Sequence, residues 1–266
     1  MQAEPTAASI ITLTTDFGTR DPFVGVMKGV ILGIAPDARI VDLTHEIPPQ
    51  DVAAGALALA TAAPHFPPGT IHVAVVDPGV GSRRRALLVE TRAARFVGPD
   101  NGVLALAAPA ARVLRTLDVS RSRARRRPVS ATFHGRDVFA PVAAELARGT
   151  APARLGVATR AMRRLRLPAV RRARGRLAGA VIWVDRFGNL VTNVGRTDLA
   201  AFRGRRVSVT IDGHVLGIRR SYAATPAGKA LALVNSADLL EISVRDGSAT
   251  AVLGLGRGAR VVVEGR

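Results

Sequence analysis

The first third of the chain alternates β-branched apolar runs with segments of helical period. "SIITLTTDF" (9–17) predicts a strand that stops at an Asp-Phe-Gly turn. "DPFVGVMKGVILGIAP" (21–36) predicts a helix capped by Asp21, with Pro22 at its first position and Pro36 beyond its end. A short strand and loop follow at 38–47, and then an alanine-rich helix at 49–66 stopped by Pro64. "TIHVAVVD" (70–77) has the length and β-branched content of a buried strand. Further strands are predicted at 86–91 and across "ARFVGPDNGVLALA" (94–107), which turns at Pro-Asp-Asn-Gly, and a capped helix at 132–149. Residues 150–178 are basic, contain a proline and lack periodicity, which predicts a surface connection. From Leu177 onward the runs are short and β-like, punctuated by Gly, Asn and Asp-Gly, as in a small antiparallel barrel or sandwich. The expected architecture is an α/β N-terminal domain, a sheet layered with helices, over 1–170. A C-terminal antiparallel β-barrel or sandwich is expected over 171–266.

Composition narrows the function classes. The chain has 266 residues, 48% of them hydrophobic, which is enough for a sizeable core. No apolar run reaches the roughly 18 residues of a membrane helix, and the first residues lack the pattern of a secretory signal. A soluble cytoplasmic protein is the expectation. The absence of cysteine excludes disulfides and thiolate metal sites. The net charge of +18 would attract polyanions. Only Lys28 and Lys229 are lysines, however, so the arginine excess has the character of a GC-rich coding bias. With aromatics at 4%, no stacking platform supports a nucleic-acid binder.

Five segments carry chemistry. In "TTDFGTRD" (14–21), Asp16 sits at a predicted strand end, where it can grip a vicinal diol or bond nearby backbone amides. "VVDPGVGSRRR" (75–85) is neither a P-loop, since its lysine is missing, nor a dinucleotide fingerprint, since a strand follows it. It leaves Asp77 seven residues before Arg84, either paired through the turn or a turn carboxylate beside solvated arginines. His134, between a β-like stretch and a helix, is a proton carrier or a loop histidine. The five histidines lack metal-ligand spacing. "VDRFGNLVTN" (184–193) and "VNSADLLEISVRDGSA" (234–249) place Asp, Asn and Ser at strand ends, as hairpin chemistry or as ligand contacts, with Phe187 able to stack on a base.

Taken in order, "TTDFG", "VVDPGVGS", "PDNG", "TFHGRD", "DRFGNL" and "NS..LLE…GSA" span nearly the whole chain. The set closely resembles the S-adenosylmethionine (SAM) hydroxide adenosyltransferase family, the SAM hydrolases, relatives of fluorinase and chlorinase. The resemblance implies an α/β domain and a β-barrel. It implies a homotrimer binding SAM between subunits, and hydrolysis of SAM at ribose C5′ to adenosine and L-methionine without metal or separate cofactor. It implies Asp77, Arg84 and His134 for the attacking water, and Asp16 for the ribose hydroxyls. Asp185, Asn189, Asn235 and Ser236 are implied for the methionine end, Phe187 beside the ligand, and Val244 to Asp246 for the adenine edge. Arg83 and Arg85 are left facing solvent. The halogenases' inserted loop is absent after the region of residues 83 to 100, and Val191 stands where fluorinase has tryptophan. Both departures place the resemblance on the hydrolase branch, with a SAM-dependent, chlorinase-like halogenase as the alternative and a basic nucleic-acid-binding protein as the more remote one.

Overall fold

A computed structural model describes residues 8–265, which divide into two compact units between Leu165 and Arg166. In the first unit the elements run β1 (Ile10–Thr15), α1 (Phe23–Ile34), β2 (Arg39–Thr44), α2 (Val52–Ala62), β3 (Ile71–Val75), β4 (Ala86–Thr91), β5 (Arg95–Pro99), β6 (Val113–Asp118), α3 (Ala140–Ala147) and β7 (Val157–Ala158). They form one mixed sheet in the order β2-β1-β3-β5-β4-β6-β7. The strands β2, β1, β3 and β5 are parallel, and β4, β6 and β7 continue antiparallel.

Strand β3 lies in the interior of the sheet and every one of its residues is buried, because both faces are covered. Val73 and Val75 meet Met27 and Ile31 of α1 and Val142 of α3 on one side. Ala74 meets Leu59 of α2, Phe96 and Leu104 on the other. His72 shares that second face. It stacks on Phe96 at 5.1 Å, and its Nδ1 pairs with Thr12 Oγ1 at 2.8 Å. Burial pushes the His72 imidazole down to about 4.

The second unit contains β8 (Arg171–Ala173), β9 (Arg176–Val184), β10 (Leu190–Gly195), α4 (Arg196–Leu199), β11 (Val207–Ile211), β12 (His214–Gly217), β13 (Ala230–Val234), β14 (Leu239–Val244), α5 (Ala249–Leu253) and β15 (Arg260–Gly265). Seven strands follow the path β12-β11-β15-β9-β10-β14-β13, with β8 paired to β9 off that path. A bridge between Ile218 and Ala232 closes the path into a barrel. Leu177, Val181, Leu190, Val209, Leu240 and Val261 fill it. Trp183 lies on β9, partly exposed. The α/β class is as the periodicity predicts, and of the barrel and sandwich that it left open the second unit forms the barrel that the resemblance implies.

The local differences have physical causes. Pro22 itself occupies the N-cap of α1, so Asp21 lies one residue too early and gives no side-chain cap. Helix α2 ends at Ala62, and Pro64 falls within a following 3-10 turn. Residues 100–107 are turns rather than a strand. Asn101 Oδ1 accepts from the Val103 N–H at 3.1 Å and Gly102 has φ +106°, which bends the chain out of β5 while Val103 and Leu104 stay buried. The helix at 132–149 opens as a π-helical turn over Gly135–Phe139 with no side-chain cap. The 150–178 connection is not free over its length. Val157–Ala158 adds an edge strand, and Arg85 and Asp100 fasten residues 159–163.

Candidate active site

Asp16 and Asp77 follow β1 and β3, two neighbouring parallel strands, so both carboxylates sit beyond the carboxyl edge of the sheet. The turn bearing Asp16 is held from behind. His45 Nδ1 pairs with Thr15 Oγ1 at 2.9 Å, His45 Nε2 faces Asp42 Oδ1 at 3.0 Å, and Lys28 Nζ reaches Asp42 at 2.5 Å. The Gly18 N–H bonds the His45 carbonyl at 2.8 Å. Asp16 Oδ2 accepts one hydrogen bond, from the Gln50 N–H at 2.7 Å.

The seven-residue step to Arg84 closes as a fork. Arg84 Nε donates to Asp77 Oδ1 at 2.9 Å and Nη2 donates to Asp77 Oδ2. Their side chains are 8% and 5% exposed, so the pair is shielded from water. Arg84 also lies over the Phe139 ring at 5.3 Å. The intervening turn depends on Gly81. Its φ is +77°, and a Cβ there would stand 2.4 Å from the Ala131 carbonyl oxygen. Only glycine lets this turn approach the loop that leads to His134.

His134 completes the group. Arg84 Nη2 lies 2.7 Å from its Nδ1. A guanidinium can only donate, so Nδ1 accepts and Nε2 carries the ring proton. Burial and the nearby Arg84 charge hold His134 below the usual histidine range, against the opposing pull of Asp77 and Asp137. Within the same motif, Asp137 serves the architecture. Its carboxylate pairs with Arg136 at 2.7 Å and accepts from the Ser130 N–H at 2.8 Å, shaping the loop before His134. Arg136 and that backbone bond hold the Asp137 carboxyl below the usual carboxylate range.

Asp16, Asp77 and His134 line one cavity of about 380 Å³, walled by Phe17, Phe23 and Phe133. Phe133 packs edge-on against the other two and these tilt against each other, with ring centroids 5.2 to 5.9 Å apart. The sequence reading missed them, although each sits in or beside a chemical motif in a chain poor in aromatics. It also misjudged Arg85. That side chain is stapled to Asp100 at 2.9 and 2.7 Å and to the Ala161 carbonyl at 2.8 Å, because the Pro-Asp-Asn-Gly turn brings Asp100 beneath it. Asn101 in the same turn bonds the Val76 carbonyl at 2.8 Å, next to Asp77. Arg83 is exposed.

In the second unit, Asp185 organises its own loop. Oδ1 accepts the Phe187 and Asn189 N–H groups at 2.9 Å, and Oδ2 accepts Asn189 Nδ2 at 2.8 Å. This leaves Phe187 76% exposed. The Asn235 side chain is committed to its turn, accepting from Ala237 N and Leu239 N and donating to Glu241 Oε2 at 3.0 Å. Ser236, next to it, is exposed. Val244 ends β14, and Asp246 has φ +57° and pairs with Arg245 Nε at 3.3 Å. Sequence reasoning missed Glu241 and Tyr222. Buried Glu241 accepts from the Tyr222 hydroxyl at 2.8 Å and from Ser243 Oγ at 2.7 Å. Burial, Glu241 and the nearby Asp185 push the Tyr222 phenol up to about 12. Among the described residues no cluster of three or more His, Asp or Glu could hold a metal ion, and no helix is long and apolar enough to cross a membrane.

Known proteins resemble this chain over most of its length. An (R)-S-adenosyl-L-methionine hydrolase of Thermus thermophilus is 41% identical over 257 residues, covering 93% of this chain and 96% of that one. One from Salinispora arenicola is 40% identical, covering 95% and 97%. The crystal structure of an uncharacterized conserved protein from Thermotoga maritima superposes with a TM-score of 0.89 at 34% identity, covering 95% of this chain and 99% of that one. The models of the SAM hydroxide adenosyltransferase N-terminal and C-terminal domains match residues 11–156 and 179–262, so the chain belongs to the SAM hydroxide adenosyltransferase family.

Proposed function

We propose that this enzyme hydrolyses S-adenosyl-L-methionine to adenosine and L-methionine by attack of water on ribose C5′. The observation that carries the mechanism is the Asp77–Arg84–His134 group, in which Arg84 joins the two residues, Asp77 and His134, that line one cavity with Asp16. The sulfonium makes methionine a neutral leaving group, so no acid is needed to expel it. As the water oxygen bonds to C5′, the C5′–S bond breaks and its electron pair stays on sulfur. A proton from the water passes to Asp77. Arg84, forked onto both oxygens, keeps the Asp77 carboxylate aimed. His134, neutral and protonated on Nε2, donates to the water and fixes its lone pair on the line to C5′. Placement of this kind contributes about 7 to 11 kcal/mol in favourable cases, and a positioned base adds about 10² to 10⁴ in rate.

In this reading Asp16 grips the ribose diol with the carboxylate capacity left beside its one backbone bond. Asp185, Asn189 and Ser236 meet the amino-acid end, Phe187 lies against the ligand, and the backbone at Val244–Asp246 reads the adenine edge. Asn235 acts through its turn, holding Ser236 in place. The proposed assembly is a homotrimer in the cytoplasm, and the proposed reaction uses no cofactor. The deciding experiment incubates the purified protein with SAM in heavy-oxygen water. Adenosine carrying the label at its 5′-hydroxyl, with equimolar methionine, is the expected result. Unlabelled adenosine, or a 5′-halo nucleoside when chloride or fluoride is added, would replace this mechanism. Light scattering on the same preparation reads the assembly.

A further inference from the structure

We propose that a second cavity, adjoining the first at His134, is a binding site for a phosphoryl oxyanion, free or as a monoester. This cavity of about 430 Å³ is lined by Arg83, Arg84, Arg121, Arg125, Ser120 and His134, with Arg85, Ser82 and Asp118 among its other residues. Arg84 and Arg85 are neutralised by Asp77 and Asp100. Arg83, Arg121 and Arg125 have no carboxylate partner among the described residues. The one acid on the lining, Asp118, accepts the Ser120 N–H at 2.9 Å.

Independent of this charge excess, the site has unused donors. Arg125 Nη1 donates to the Ser120 carbonyl at 3.1 Å, but its Nε is buried without an acceptor. An orphaned buried donor is costly, and an anion would satisfy it. Ser82 Oγ and Ser120 Oγ each accept a backbone N–H, at 3.2 and 2.8 Å, so their hydroxyl protons are available to a ligand. Fork-shaped guanidinium groups with hydroxyl donors match the tetrahedral oxygens of a phosphoryl group. The volume also leaves room for an organic remainder.

Occupancy would reach the reacting group through charge. Arg84 helps to keep His134 neutral, and an anion beside Arg84 offsets that influence and raises the pH at which His134 protonates. This regulatory consequence rests on the proposed hydrolysis; the binding itself does not. The test is calorimetric titration of the full chain with inorganic phosphate and, separately, glycerol phosphate, at constant ionic strength. One saturable site is expected, weakened about tenfold or more in Arg121→Ala/Arg125→Ala by loss of charge-assisted bonds. It should be retained in Arg92→Ala/Arg112→Ala, which removes equal charge elsewhere. Arg121→Ala alone, an exposed position, gives the same direction if the double variant does not fold. Tighter binding of glycerol phosphate assigns the monoester, and tighter binding of phosphate assigns the free ion. Non-saturable binding, or equal affinity in all variants, overturns the site. With SAM as substrate, saturating phosphate should move the acid limb of the rate upward in pH; an unmoved limb with intact binding overturns the coupling alone.

Discussion

If Asp77 takes the proton while His134 only donates, their replacement has unequal consequences. Asp77→Asn keeps an oxygen for Arg84 but removes the proton acceptor. The rate at saturating SAM should fall by about 10² to 10⁴, or about 3 to 5 kcal/mol in barrier at 1.36 kcal/mol per decade. The substitution also leaves Arg84 buried with its charge unmatched, since these side chains are only 8% and 5% exposed. Removing one partner of such a pair costs about 3 to 5 kcal/mol of stability, so each rate must be paired with a melting curve. His134→Gln retains an amide donor near the position of Nε2 but has no acceptor at the position of Nδ1, where Arg84 Nη2 donates. Its rate should fall about tenfold, the loss of one oriented hydrogen bond. The wild-type rate should show an acid limb lying below the usual histidine range, because His134 is held down there and its protonated ring can no longer accept from Arg84. That limb should vanish in His134→Gln. The assay is adenosine release followed across pH. The assignment is refuted if His134→Gln is as slow as Asp77→Asn, or if the acid limb survives in it.

Three further outcomes follow from the geometry. His72→Phe should remove part of the acid instability: the folded His72 titrates near 4 rather than 6.5, so wild-type stability is full above about 6.5. It should decline by about 1.4 kcal/mol per pH unit as pH falls toward 4. Denaturant titrations of both proteins at pH values through that window check the slope, and parallel curves would contradict it. Gly81→Ala should cost about 1 to 3 kcal/mol of stability, from its positive φ and the 2.4 Å approach to Ala131; because it pushes apart the Asp77 turn and the His134 loop, the rate should fall more than in a melt-matched control variant. Arg84→Lys should lose at least about 10² in rate, since a point charge cannot supply both fork bonds to Asp77 and the bond to His134; wild-type activity would exclude the fork's role.

The strands that alternate or lie fully buried were legible from the chain, as β1, β3 and β4 illustrate. Strand β6 was not, because "VLRTLD" exposes Leu114 and Arg115 and buries only Thr116 and Leu117, a pattern with no period of two. The turn at 100–107 was misread because Val103 and Leu104 are as apolar and buried as strand residues, and the bend comes from one Asn side chain. The three arginines at 83–85 look alike in sequence, yet one forks to Asp77, one is stapled to Asp100 and one is exposed. Only the spacing in the family motif separated Arg84, and nothing local pointed Arg85 toward residues 15 and 76 positions away. Glu241 and Tyr222 escaped for the same reason, since each gains its meaning from the other, 19 positions away.

The placement of Trp183 and Tyr222 has a spectroscopic consequence. They are the only tryptophan and the only tyrosine in the chain, and both belong to the barrel. All indole and phenol emission therefore arises from the second unit. A fluorescence melt records the loss of the barrel and stays silent about the sheet that carries Asp77, Arg84 and His134. If the two units unfold separately, emission and far-ultraviolet dichroism will give different midpoints. The α/β unit is thus an optically dark background, in which one introduced tryptophan would report on the cavity lined by Asp16, Asp77 and His134 without interference from its own unit.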